Sequence, residues 1–147
     1  MRFNDSTDRK VVSLSNAETI GKISKFIVDV KSRKVSAVRL RKTDDKHREF
    51  LLWDSVSAFG DDAVTVAGPD VLEAGDERMQ ALSGKHHQLV GKLALSTGGD
   101  ELGVVSDVEF DAASGMLEQI HYTGGAARGD ALVGIGSYAA VIDVDAV

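Results

Sequence analysis

The sequence predicts a mainly β protein of two small barrels in tandem, joined by a short helical linker and packed with pseudo-twofold symmetry. Three observations predict it. Residues Lys92 to Tyr122, KLALSTGGDELGVVSDVEFDAASGMLEQIHY, fall without a gap on Lys10 to Leu40, KVVSLSNAETIGKISKFIVDVKSRKVSAVRL, when shifted back by 82 positions. Within each copy, apolar and polar residues alternate with the period of two that a sheet with one buried face requires. Between the copies stands the only proline, Pro69, at the head of a stretch whose apolar residues suit a helix. The expected boundaries are 9–67 for the first copy, 68–84 for the linker and 85–147 for the second.

Each element follows from its residues. The first nine residues are polar and are expected to fray. Lys10 to Leu14 reads as a short strand, Ser15 to Glu18 as a turn, and Ile20 to Val30 as a longer strand with Phe26, Val28 and Val30 on one face and Lys25 and Asp29 toward water. The same parity in the second copy turns Val104, Val108 and Phe110 inward and Asp107, Glu109 and Asp111 outward. Ile23 and Ile27 break the alternation, which places them at a bulge or against the other half. The turns KSRK and AASG lead into strands whose apolar residues correspond, Val35, Val38 and Leu40 with Leu117, Ile120 and Tyr122. The loops Thr43 to His47 and Gly124 to Asp130 then vary in chemistry, as surface loops do.

Each copy closes with FLLWDSVSAFGDDAVTV or LVGIGSYAAVIDVDAV. Carried forward, the offset of 82 pairs Ser55 with Ser137, Val56 with Tyr138, Ala58 with Ala140 and Asp61 with Asp143, and sets Val147 opposite Thr65, so that the chain ends with its second copy. Some five short strands per copy bury one face best in a barrel or strongly bent sheet. In the linker, Asp70 is placed to cap a helix ending at Ser83, before Gly84, with Val71, Leu72, Met79 and Leu82 as its apolar stripe and Gly75 as its weak point.

Composition bounds the function. A chain of 147 residues, 43% hydrophobic and 27% charged, has an ordinary globular core to build. No apolar run approaches the roughly 18 residues that span a bilayer, and the segment MRFNDSTDRK is too polar for a secretory leader, so a cytoplasmic location is expected. With no cysteine, disulfides and thiolate zinc sites are excluded. The net charge of -6 is unevenly spread: residues 1–66 carry 13 Lys or Arg against 10 Asp or Glu, and residues 67–147 carry 4 against 13. Such asymmetry serves either an anionic partner or the docking of opposite charges within or between molecules.

The stretch Gly99 to Val108, GDELGVVSDV, preceded by Leu89, Val90, Gly91 and Lys92, resembles the PRC-barrel family. The first copy keeps Ile20-Gly21 and the Phe26 to Val30 strand, and its LLWDSVSAFGDDAVTV is similar to the end of a PRC-barrel. It departs at Asn16 and Ala17, where the second copy has Gly98 and Gly99. The resemblance implies a small β-barrel of the kind found in the photosynthetic reaction centre H subunit and the ribosome maturation factor RimM. It implies binding rather than catalysis, and it supplies no catalytic residues.

His86 and His87, adjacent in an extended linker, face opposite ways and make a poor ligand pair. The acidic series Asp100, Glu101, Asp107, Glu109 and Asp111 reads as a solvated strand face, without a calcium-loop pattern. Gly124-Gly125 and Gly134 with Gly136 fit no phosphate loop. The serines have no recognisable elbow or His-acid partnership. Trp53, beside Phe50, Leu51 and Leu52, belongs to the core. The best candidate site is a basic patch of Arg33, Lys34, Arg39, Arg41, Lys42 and Arg48, with Lys31 and Lys46 nearby. The expected function is therefore a non-enzymatic adaptor or assembly module that binds a protein partner, with a homo-oligomer as a further option. No cofactor or metal is expected. An RNA- or ribosome-associated factor using the basic half is the alternative, and a small-molecule enzyme the third.

Overall fold

Apolar alternation sets six strands in the first half: β1 (Lys10–Ser13), β2 (Thr19–Asp29), β3 (Lys34–Arg41), β4 (Phe50–Leu52), β5 (Val56–Phe59) and β6 (Ala63–Val66). Six more follow in the second: β7 (Leu93–Ser96), β8 (Glu101–Phe110), β9 (Leu117–Tyr122), β10 (Gly125–Arg128), β11 (Leu132–Ile135) and β12 (Ala140–Ile142). The structure, a computed structural model, describes residues 1–144. Its strands form two six-stranded sheets of orders β4-β3-β2-β1-β6-β5 and β10-β9-β8-β7-β12-β11, the same order position by position. Neighbours are antiparallel except β1 with β6 and β7 with β12, which are parallel. In each sheet the two outer strands are consecutive in the chain, joined only by a 3-10 turn, Trp53–Ser55 or Gly129–Ala131.

The offset of 82 holds from β2 and β8 through β3 and β9 and then fails; β1 and β7 correspond at 83, since Val11 pairs with Gly21 as Ala94 pairs with Gly103. β4 and β5 correspond to β10 and β11, so Trp53–Ser55 matches Gly129–Ala131 and Val56 matches Leu132, a shift of 76. The cause lies in one connection. Eight residues, 42–49, join β3 to β4, whereas two, 123–124, join β9 to β10. The pairings of Ser55 with Ser137 and Val56 with Tyr138 are thereby corrected, and Gly124 to Asp130 is a hairpin turn and strand rather than a loop. The pairing of Thr65 with Val147 lies outside the described residues.

Bulges correct the parity of the long strands. Register shifts between Ile23 and Lys25 and between Ile27 and Val28 put both isoleucines out of simple alternation, as expected, and both are buried. Ile27 lies with Ala37 and Phe50 beneath Met79 and Leu82 of the linker, not against the other half. A shift between Val105 and Asp107 turns Val105 inward and leaves Val104 44% exposed, reversing the expected parity there.

The N-terminal segment is not frayed. It contains a helical turn, α1 (Phe3–Ser6), and extends β8 along its unpaired end: the Phe110 N–H donates to Met1 O at 2.8 Å, and Asn4 Nδ2 donates to Ser106 O at 2.8 Å. Phe3 is buried and stacks on Phe26 at 4.1 Å, with Phe110 5.5 Å away. One continuous core results, containing Phe26, Trp53 and Phe59 from the first half and Phe110, Leu117 and Leu132 from the second.

The linker helix is shorter than expected. Gly75 adopts φ +76° and interrupts the chain, so α2 runs only from Glu77 to Leu82 and is capped by Asp76, whose carboxylate accepts from the Met79 N–H at 2.8 Å. Pro69–Val71 is a separate 3-10 turn. Among the described residues, no helix is long and apolar enough to cross a membrane.

Candidate functional site

Where the halves meet, the seam is built from corresponding residues. Val35 N–H donates to Gly115 O at 2.8 Å and Leu117 N–H to Arg33 O at 3.0 Å, while Lys34 and Met116 form an isolated bridge between them. Arg33, in a turn at φ +55°, also sends Nε to Leu132 O at 3.0 Å. Trp53 is 6% exposed and donates its indole N–H to Ala113 O at 3.4 Å, as its core assignment requires. Beside it lies an open cleft of about 550 Å³ lined by Trp53, Asp54, Ser57, Phe59, Ala112 and Ala113.

The six basic residues do not share one surface role. Arg33 lies in the seam. Arg39 is held under the linker, with Nη1 2.9 Å from Ser83 Oγ, Nη2 3.6 Å from Glu49 and its guanidinium 5.2 Å over the Phe50 ring. Arg48 clamps the linker, donating from Nε to Leu72 O at 2.9 Å and from Nη2 to Asp70 O at 3.1 Å. Arg41 pairs with Asp8. Lys34 is half-buried beside Met116, and Lys42 is exposed in a turn at φ +57°. The four arginines each make a different intramolecular contact.

The acidic strand face is also engaged. Asp107 is 9% exposed and accepts from the Asn4 N–H at 3.1 Å. Arg2 stands 3.8 Å from both Asp107 and Glu109. His121 Nε2 lies 2.7 Å from Glu109 Oε2, and this hydrogen bond, with Arg2 adding to it, holds the Glu109 carboxyl below its ordinary value. Asp111 is lowered too, because its carboxylate accepts from the Ser114 and Ala113 N–H groups of the turn. His86 and His87 fall in a 3-10 turn, not an extended segment. Among the described residues, no group of three or more His, Asp or Glu side chains is placed to hold a metal ion.

Two features of the second half escaped sequence reasoning. Val133 and Tyr138, on the β11–β12 hairpin, are 49% and 67% exposed. Their counterparts at the shift of 76 are Ser57 and Asp62. The wrong offset concealed this contrast. The second feature is an edge. In the first half Phe50 of β4 pairs with the linker, exchanging hydrogen bonds of 3.0 and 2.8 Å with Glu73. Among the described residues, nothing pairs with the corresponding edge of β10. No protein-family model matches the chain, and no curated protein matches it.

Proposed function

We propose that the chain is a non-enzymatic, cytoplasmic adaptor or assembly module made of two PRC-type barrels related by a pseudo-twofold axis, binding a protein partner. The barrel description is supported by the single 3-10 turn joining the outer strands of each sheet, since four residues reach at most about 14 Å. The axis is supported by the seam. Shifting Val35 and Arg33 by 82 gives Leu117 and Gly115, so these two backbone hydrogen bonds of the seam exchange with one another.

The observation that carries the protein-binding reading is the exposure of Val133 and Tyr138 where the first half has Ser57 and Asp62. One copy of a shared backbone plan has acquired an aliphatic and an aromatic side chain in water, and such side chains favour protein interfaces. The RNA-associated alternative has less support, because Arg33, Arg39 and Arg48 are held by intramolecular acceptors. The test is affinity capture from a lysate of the source organism by the wild-type chain and by a Val133→Ser, Tyr138→Asp variant, with nuclease-treated controls. A nuclease-resistant protein partner captured at least tenfold less by the variant is the expected result. Equal capture by both, or capture abolished by nuclease, overturns the proposal.

A further inference from the structure

We propose that the free edge of β10 is a docking site for an extended, basic peptide segment of a partner protein, which adds to the second sheet as a seventh strand. The inference rests on the protein-binding reading but uses a different surface from Val133 and Tyr138. Tyr122 pairs with Gly125 across a two-residue turn, so this pair and Ile120 with Ala127 carry the ladder bonds. Ala126 opposite His121 and Arg128 opposite Gln119 are then the alternate pairs, whose N–H and C=O groups point away from β9. Both residues are exposed. Their side chains leave the edge unblocked by proline, lysine or a bulge, the usual means of closing one.

The first half shows what fits such an edge. Ala126 corresponds to Phe50, and Phe50 receives Glu73 of an extended segment through both outward backbone groups. Arg48 there donates to the backbone carbonyls of Leu72 and Asp70, in a segment that also carries the Asp70 and Glu73 carboxylates. Around β10 the signs are reversed. Arg128 is already paired with Asp130, while Glu118 is exposed on the neighbouring β9. Beyond the linker, residues 85–147 carry 9 acidic against 3 basic side chains, so an extended segment bearing Lys or Arg is the complementary occupant.

An end-capped six-residue peptide alternating lysine and valine, titrated into the full chain, provides the probe. We expect amide exchange at Ala126 and Arg128 to slow at least tenfold while β9 amides are unchanged, and a glutamate-valine peptide to bind at least tenfold more weakly. Ala126→Pro removes only an outward N–H, which an edge strand tolerates, so its amide spectrum stays folded while peptide binding falls at least tenfold. Equal binding by that variant, equal binding of the acidic peptide, or unchanged exchange at Ala126 and Arg128 overturns the proposal. So does a concentration-dependent dimer in sedimentation that Ala126→Pro abolishes, which would assign the edge to a second copy. A partner lost with Val133→Ser, Tyr138→Asp but retained by Ala126→Pro would sink the edge site and leave the adaptor reading standing.

Discussion

Ala17 holds φ +57°, a conformation that costs an L-residue about 1–2 kcal/mol, and its counterpart Gly99 holds φ +89°. Asp8 and Arg33, at φ +72° and +55°, likewise face Gly91 and Gly115, at +90° and +79°. In sequence, Asn16 and Ala17 look like a departure from the second copy. In structure the left-handed conformation is kept at this position, although the first turn is one residue longer: Ala17 N–H donates to Ser13 O and Gly99 N–H to Ser96 O. Ala17→Gly should therefore raise stability by about 0.5–1 kcal/mol and Gly99→Ala lower it by a similar amount, measured as shifts in urea midpoint. The acidic face offers a second case. Period-two alternation marked Asp107 and Glu109 as solvated, and it has no means of registering the Val105 bulge or a segment from the far end of the chain. Because Glu109 is held below its ordinary value by His121, its contribution is present above pH 4.5 and is lost as pH falls through the lowered value. His121→Ala should flatten the decline in stability on acidification below that pH, in urea titrations at successive pH values.

At the scale of elements, strand existence was legible wherever apolar alternation was local, from β1 to β3 and from β7 to β9. The strand β10 was not, because Gly124 to Asp130 lacks the bulky residues that mark β4 and reads as a loop. Small residues are required there. A Cβ on Gly129 would stand 2.1 Å from Leu117 O, so the strand end passes too close for any side chain. The extra residues of the first half lie in 42–49, and Arg48 among them anchors the linker. Arg48→Ala should free that segment, with amide exchange at Glu73 at least tenfold faster and β1 amides unchanged. The contacts of the basic residues were not legible in sequence for a related reason. Clustering in sequence says which charges are near, whereas their acceptors, Ser83, Leu72 and Leu132, come from distant segments.

For the whole molecule, the duplication and the mainly β class were legible, and the seam was not. Phe110 lies 5.5 Å from Phe3 and from Phe26 and 5.3 Å from Phe59, so it joins both halves and the N-terminal segment. Phe110→Ala should cost about 3–5 kcal/mol, and calorimetry should show one transition at lower temperature rather than two separated ones. That prediction tests whether a shared core makes the halves cooperative. The N-terminal docking also sets an order of events during synthesis. Met1 and Phe110 are 109 residues apart. At about 5–20 residues per second, Phe3 leaves the ribosome roughly 5–20 s before its partner on β8 exists. Through that interval Phe3, Phe26 and Phe59 lack the Phe110 ring against which all three pack. The nascent first half therefore presents an apolar surface that chaperones can hold and that only the second half can retire.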